Sequence, residues 1–207
     1  KGSQVRVSDA RTRPVIGTLA MQGDFAAHAA TMEGLGVEVR PIRKVSQLAE
    51  LDGLVIPGGE STTLIKLLDA FDFWDPLQVW IDAGHPVLGT CAGAILLARE
   101  VLNPSQKSFG LIDITVERNS YGRQADSFEG SGTFRLDGDQ DENEIEMVFI
   151  RAPRITRVGD GVETLGVCRG DTVVARQGNV MVCTFHPELS AGSAVHELFL
   201  RMVFAAR

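Results

Sequence analysis

Segments of buried-strand type alternate with segments of helical spacing along the first hundred residues, and this alternation constrains the fold most. Short apolar runs lie at 15–20, 54–56 and 87–90, and helical patterns follow at 25–35, 62–71 and 92–102. An alternating pattern at 37–40 predicts a further strand, which makes 54–56 the third predicted strand and 87–90 the fourth. Strands that alternate with helices form βαβ units with parallel strands. The second half contains mostly strand patterns and ends in a predicted helix over about 194–205. We therefore expect an α/β fold with a mainly parallel central sheet and helices on both faces.

The composition is that of a folded protein, and it excludes several functional classes. Of the 207 residues, 44% are hydrophobic and 23% are charged, which argues against global disorder. The net charge of -7 argues against a protein that binds nucleic acid through its phosphates. No apolar run approaches the length of about 18 residues that a membrane span needs. Three cysteines are too few for a disulfide scaffold, so we expect free thiols and a cytoplasmic location.

The chain shows no repeat or linker that would divide it. Residues 1–13 are polar and basic and lack the apolar segment of a secretory signal. We expect them to be a flexible N-terminal arm or a remnant added for expression, followed by a single domain over residues 14–207. The polar stretch 137–146 is expected to be an exposed loop.

A candidate nucleophile, Cys91, lies where the fourth predicted strand meets its helix. The sequence Gly-Thr-Cys-Ala-Gly at 89–93 has the glycine, nucleophile, glycine spacing of a sharp strand-to-helix turn. Such a turn lifts the sulfur to the carboxyl edge of a parallel sheet, where open α/β folds bind ligands. At a helix N-terminus the thiolate is favoured, and the N–H of Ala92 points to where an oxyanion would form. Cys168 and Cys183 lie in apolar strands and are expected to be core residues.

A candidate base and its orienting carboxylate follow the last predicted strand. In extended chain, residues two apart project to the same side, so His186 and Glu188 can act together. A carboxylate that holds an imidazole in one tautomer is the arrangement of a nucleophile–base–acid triad. The other histidines are expected to pack, cap or face solvent: His28 and His196 lie within predicted helices, and His85 precedes a proline. No cluster of His, Cys, Asp or Glu has the spacing of metal ligands, so we expect no metal site.

A glycine-rich loop at 57–63, Pro-Gly-Gly-Glu-Ser-Thr-Thr, follows the third strand. Gly58 and Gly59 let the backbone approach a substrate and present N–H groups. Ser61 or Thr62 is expected to cap the next helix. The loop lacks the lysine of a nucleotide-binding P-loop.

These features together resemble the class I, triad-type glutamine amidotransferases, whose single domain is flavodoxin-like. More narrowly, the chain is similar to the glutaminase subunits of two-component pyridoxal 5′-phosphate synthases. The narrower resemblance is carried by six segments in family order, at 19–24, 57–63, 89–93, 118–124, 149–153 and 185–189.

The resemblance implies residue roles and a partner. It implies Cys91 as nucleophile, His186 as base and Glu188 as the orienting carboxylate. It further implies an oxyanion hole formed by the N–H groups of Ala92 and Gly59. The glutamine contacts that it implies come from Gly58, Gly59, Glu60, Arg118, Ile150 and Arg151. The released ammonia would pass to a (β/α)8-barrel synthase subunit, and the glutaminase itself would need no cofactor.

Other functions remain compatible with the sequence alone. A glutaminase could serve another synthase, such as one of a purine, histidine or aminobenzoate pathway. The same turn could carry a cysteine hydrolase of esters or lactones. A binding subunit without catalysis is disfavoured because the Cys, His and Glu set is intact.

Overall fold

The structure is a computed structural model that describes residues 13–118, 127–136 and 142–207. In these ranges, strands and helices follow one another in the order β1 (Val15–Leu19), α1 (Phe25–Gly34), β2 (Glu38–Ile42), β3 (Gly53–Ile56), α2 (Ser61–Ala70), α3 (Trp74–Asp82), β4 (Val87–Thr90), α4 (Ala92–Leu97), β5 (Ala98–Leu102), β6 (Ile112–Glu117), β7 (Ser127–Phe134), β8 (Asn143–Ile150), β9 (Arg154–Val158), β10 (Glu163–Cys168), β11 (Asp171–Gln177), β12 (Val180–Cys183) and α5 (Ala194–Ala206). Short 3-10 turns lie at Val45–Glu50 and Pro187–Leu189.

The main sheet has nine strands in the order β2-β1-β3-β4-β12-β11-β10-β7-β8. Strands β2, β1, β3, β4 and β12 are parallel, and the remaining four join them in antiparallel pairing. The α/β fold class with helices around a large central sheet is thereby confirmed. Because the parallel strands all end at one edge, the segments that follow β1, β3, β4 and β12 meet there.

Helices cover both faces of the parallel strands, as predicted. On one face, Ile16, Val55 and Leu88 pack against residues of α1 and α5. On the other face, Leu54 and Val87 pack against residues of α2, α3 and α4. Strands that are buried on both faces are typical of parallel sheets and explain the continuous apolar runs in the sequence.

The expectation of a helix over 92–102 is wrong in its second half. Helix α4 ends at Leu97, and Ala98 adopts an extended conformation. The next residues form β5, which pairs in parallel with β6 in a separate three-stranded sheet, β5-β6-β9. Pairing with a distant strand overrides the helical preference of this stretch. Neither β5 nor β9 is expected from the sequence pattern.

Part of the predicted loop at 137–146 is also strand, since β8 begins at Asn143 and pairs with β7. Residues 137–141 lie outside the described residues. So do residues 1–12, and the arm expected over 1–13 therefore stays a prediction. The segment 119–124, part of one resemblance motif, is likewise outside them.

Candidate active site

Cys91 occupies a strained turn between β4 and α4. Its φ of 48° and ψ of −103° are unusual for a residue with a side chain. Such strain costs about 1–3 kcal/mol and is found most often at functional sites. The backbone N–H of Cys91 donates to the carbonyl of Cys183 at 2.8 Å, which ties the turn to the end of β12. Cys91 itself is buried, and Ala92 begins the helix directly after it.

Two glycines make this turn possible, as the motif predicts. A Cβ on Gly89 would lie 2.6 Å from the backbone carbonyl of Gly93, and a Cβ on Gly93 would overlap the carbonyl oxygen of Ile56. The first turn of α4 can therefore lie against β3 and β4 only because both positions lack a side chain.

His186 follows β12 and joins Cys91 to Glu188. Its Nδ1 lies 2.8 Å from Oε1 of Glu188, whose side chain is fully buried. Burial alone would lower the pKa of His186, but hydrogen bonds with Cys91 and Glu188, together with the charges of both groups, raise it to about 10. The ring is therefore a cation at neutral pH, and an imidazolium beside the sulfur stabilises a thiolate.

The glycine-rich loop after β3 closes over the nucleophile and the imidazole. A Cβ on Gly58 would lie 2.6 Å from Cε1 of His186 and 3.2 Å from Cβ of Cys91. Gly59 has a φ of 140°, which a residue with a side chain rarely adopts. The loop backbone therefore lies against the side chains of both Cys91 and His186.

The turn after β1 braces this loop. The side-chain amide of Gln22 donates to the Glu60 carbonyl at 3.0 Å and accepts from the Glu60 N–H at 3.2 Å. A Cβ on Gly23 would overlap the carbonyl oxygen of Gly58. Close contact between these two turns fixes where the N–H groups of the loop can point.

Glu60, and not Ser61 or Thr62, caps α2. Its carboxylate accepts from the N–H groups of Thr62 at 3.1 Å and Thr63 at 2.7 Å. Hydrogen bonds from the Thr62 hydroxyl and then from Thr63 lower the pKa of Glu60 to about 2, although partial burial opposes them. The expected serine or threonine cap is therefore wrong, because the glutamate one position earlier makes the capping bonds.

The remaining candidates fall into two groups. Arg118 follows β6, and its guanidinium lies 3.7 Å from Oε1 of Glu60, so the two form a pair of opposite charges.

Ile150 ends β8, and its carbonyl oxygen lies 4.0 Å from Sγ of Cys91. The exposed Arg151 comes next with a φ of 46°. The end of β8 is held near the imidazole because the His186 N–H donates to the Val148 carbonyl at 2.8 Å.

Sequence reasoning missed a buried polar group behind Glu188. Nε2 of His28 lies 3.2 Å from Oε2 of Glu188 and 3.1 Å from Oγ1 of Thr90. Nδ1 of His28 lies 2.9 Å from Nε2 of His196, and both rings are fully buried. The buried faces of α1 and α5 indicate that these histidines point inward, but no sequence spacing links either of them to Glu188.

Within 13–118, 127–136 and 142–207, no group of three or more His, Cys, Asp or Glu side chains is arranged to hold a metal ion. Among the helices of those same ranges, none is both long enough and apolar enough to cross a membrane.

Comparison with known proteins identifies those that this chain is similar to. The SNO glutamine amidotransferase family model matches residues 18–205. The chain is 52% identical over 188 residues to pyridoxal 5′-phosphate synthase subunit PdxT of Koribacter versatilis, covering 91% of this chain and 95% of that one. It is 52% identical over 192 residues to the subunit of the same name from Corynebacterium jeikeium, covering 91% and 96%.

Solved structures show the same fold. A crystal structure of a glutamine amidotransferase matches with a TM-score of 0.83 and 40% identity, covering 91% of this chain and 98% of that one. A putative GMP synthase component from Thermoplasma acidophilum matches with a TM-score of 0.68 over 93% and 95% of the two chains. At 18% identity, the second likeness concerns the fold alone.

Proposed function

The chain belongs to the SNO glutamine amidotransferase family, and from this premise we propose that it hydrolyses L-glutamine to L-glutamate and ammonia at Cys91. It does so as the glutaminase subunit of a pyridoxal 5′-phosphate synthase. The observation that carries the site assignment is the buried series Cys91, His186 and Glu188, with the nucleophile in a strained turn and the imidazole held by a carboxylate at 2.8 Å.

The first half of the reaction forms a thioester. The Cys91 thiolate attacks the side-chain carboxamide carbon of glutamine, and the carbonyl oxygen takes up the negative charge. The N–H groups of Ala92 and Gly59 stabilise this oxyanion. When the carbon–nitrogen bond breaks, the proton on His186 moves to the nitrogen, and ammonia leaves.

The second half regenerates the thiolate. Neutral His186 now accepts a proton from water, and the resulting hydroxide attacks the thioester carbon. The carbon–sulfur bond breaks, glutamate is released, and the proton on His186 again faces the sulfur. Glu188 stabilises the imidazolium at both ends of this cycle and keeps its Nδ1 protonated.

Glutamine is a zwitterion, and the site offers charges that match it. The guanidinium of Arg118, with a side chain only 13% exposed, suits the substrate α-carboxylate. Glu60, ionised because its pKa is about 2, suits the α-ammonium. The backbone of Gly58 and the end of β8 at Ile150 and Arg151 complete the pocket in this proposal.

The partner is a synthase subunit that consumes the ammonia. Relatives of this chain carry the name of pyridoxal 5′-phosphate synthase subunit, and the resemblance implies a (β/α)8-barrel partner. Ammonia released to solvent would be lost, so docking of that partner should gate hydrolysis. We expect the Gln22–Gly23 turn to rearrange on docking, because it holds the loop that carries the oxyanion donors.

The direct test measures glutamate production from glutamine, with and without the synthase subunit. We expect turnover that rises when the synthase subunit is added, and equal turnover in the two cases would contradict gating. Cys91→Ala should remove ammonia release while the protein stays folded.

Cys168→Ala is the matched control, because this buried cysteine lies in β10 outside the site and should leave turnover unchanged. Residual turnover of Cys91→Ala near the parent level would remove Cys91 from the mechanism. Turnover of thioesters or lactones without glutamine dependence would favour the hydrolase alternative instead. Ammonia transfer to a different synthase would identify another pathway.

A further inference from the structure

We propose that His28 is a positioning residue for the triad, which holds Glu188 from the side opposite to His186 and is itself held by His196. The inference rests on the proposed glutaminase function, since it adds a residue to that site. His28 belongs to α1 and His196 to α5, so two helices on one face of the sheet converge on the carboxylate.

The two oxygens of Glu188 face different histidines. Oε1 accepts a hydrogen bond from Nδ1 of His186 at 2.8 Å. Oε2 is buried and makes no well-aligned hydrogen bond within the described residues, but Nε2 of His28 lies 3.2 Å from it. A buried carboxylate oxygen that lacks a donor is costly, so the nearby N–H has a physical role.

The carboxylate decides which nitrogen of His28 carries the proton. An unprotonated Nε2 would point its lone pair at the negative oxygen of Glu188, so Nε2 must bear the hydrogen. That N–H lies between Oε2 of Glu188 and Oγ1 of Thr90, which is 3.1 Å away. Thr90 is the residue directly before the nucleophile.

The same assignment fixes His196. With Nε2 protonated and the ring neutral, Nδ1 of His28 is an acceptor, and Nε2–H of His196 donates to it at 2.9 Å. The other nitrogen of His196 is then a bare lone pair, which agrees with Nδ1 of His196 having no partner in the described part of the chain. An unmatched acceptor is easier to bury than an unmatched N–H donor.

Both rings are neutral, which suits a positioning role. Burial, and then the charges of His196 and His186, lower the pKa of His28 well below its usual value. Burial lowers the pKa of His196 to about 4. A neutral donor anchors Glu188 without competing with His186 for its negative charge. The orientation of the carboxylate is set by His28, and its charge remains available to the catalytic imidazolium.

The test compares three variants with the parent chain, assayed with the synthase subunit present. His28→Leu removes the donor, whereas His28→Gln keeps an N–H near the position of Nε2. Met32→Ala serves as the control, because Met32 is fully buried one turn later on the same helix and belongs to the apolar core. Thermal unfolding of each variant sets an assay temperature at which all four proteins are folded.

We expect His28→Leu to lower kcat about ten- to a hundredfold with KM for glutamine within about twofold, since a misplaced catalytic group costs rates of this size. His28→Gln should stay within about threefold of the parent, and so should Met32→Ala. Equal kcat for His28→Leu and Met32→Ala would overturn the inference, and so would a loss in His28→Gln as large as in His28→Leu.

A second measurement does not depend on glutamine. The rate of Cys91 alkylation by iodoacetamide at neutral pH, followed by mass spectrometry, reports the reactivity of the thiol. If His28 fixes Glu188, alkylation of Cys91 is slower in His28→Leu than in Met32→Ala, because a less supported imidazolium activates the sulfur less. An equal or faster rate in His28→Leu would contradict the role of His28. Absence of glutamine turnover in the parent chain would instead contradict the proposed function.

Discussion

Glu188 lies between two histidines whose pKa values are shifted in opposite directions. His186 and His28 are both buried and both lie near a carboxylate oxygen, yet the pKa of His186 rises to about 10 and that of His28 falls well below its usual value. His186 has a well-aligned hydrogen bond to Glu188 at 2.8 Å, and its pKa is raised by interactions with Cys91 and Glu188. His28 is more deeply buried, hydrogen-bonds to the His196 ring and the Thr90 hydroxyl, and lies 3.2 Å from Glu188 without a well-aligned hydrogen bond.

This difference gives the two histidines different charges at neutral pH and therefore different proposed roles. Burial disfavours the charged form of a histidine, and hydrogen bonds to negatively charged partners oppose that effect. In the proposed reaction, the cationic ring of His186 delivers a proton to ammonia. The neutral ring faces the core, where it can hold a carboxylate in place. Changing the partners of either histidine tests whether they set its role.

Removing the charge that both histidines face should have the largest effect. Glu188→Gln keeps the shape of the side chain, but it takes away the carboxylate that stabilises the His186 cation. We expect kcat for glutamine hydrolysis to fall about a hundredfold or more, because loss of an orienting carboxylate leaves the imidazole with the wrong tautomer. Steady-state glutamate release measures this. A variant within threefold of the parent would show that Glu188 neither orients nor charges His186.

A smaller loss of kcat is expected when a substitution adds an atom beside His186 and leaves the charges of the site unchanged. In Gly58→Ala, the new Cβ would lie 2.6 Å from Cε1 of His186, so either the ring or the loop must shift. We expect kcat to fall about tenfold or more, since displacement of a catalytic group by an ångström costs rates of this order.

Gly34→Ala is the control for that experiment, because a Cβ at this position in α1 meets nothing within 4 Å. Its turnover should equal that of the parent. If Gly58→Ala also matched the parent, the loop would not lie as close to the imidazole as described.

The buried His196 should affect the pH dependence of the unfolding free energy more than the rate of glutamine hydrolysis. The pKa of His196 is about 4 in the folded chain and about 6.5 when the chain is unfolded. The unfolded chain therefore binds the proton first, and folding free energy is lost as the pH falls from about 6.5 towards 4, by at most about 3 kcal/mol for this group.

Denaturant unfolding at several pH values measures that loss. In His196→Phe this contribution is absent, so unfolding free energy should depend less steeply on pH between about 6.5 and 4 than in the parent. Equal slopes in the two proteins would mean that His196 is not buried as a neutral ring.

The same division separates what could be predicted from the sequence. The turn at Cys91 and the loop at Gly58 follow from local spacing at the ends of parallel strands. The pairing of His186 with Glu188 was expected from an extended segment, and that premise is wrong, because Pro187–Leu189 forms a 3-10 turn that still brings the two side chains to 2.8 Å. His28 and His196 lie 168 residues apart, and only the folding of α1 and α5 onto the same face of the sheet brings Nδ1 of His28 to 2.9 Å from Nε2 of His196. Their helical pattern predicts burial but cannot predict the neighbour.

The end of α4 shows the same limit. Residues 98–102 continue a helix-forming stretch, and only their pairing with β6 makes them a strand. The cap of α2 differs from the expected one for another reason, because Glu60 is a less common N-cap residue than Ser or Thr. Its capping role follows from the hydrogen bonds that it accepts from Thr62 and Thr63. Local spacing predicts where Cys91 and the Gly58 loop lie, whereas packing between segments far apart in the sequence decides which groups support them.

The most direct test of the proposed site uses a glutamine analogue with an electrophilic carbon in place of the carboxamide. Incubation with the complex, followed by peptide mass spectrometry, locates the covalent adduct. We predict one adduct per chain, on Cys91, with glutamine slowing its formation and no modification of Cys168 or Cys183. Loss of glutaminase turnover with Cys91 unmodified, or an adduct on either of the other cysteines, would contradict the assignment of the nucleophile.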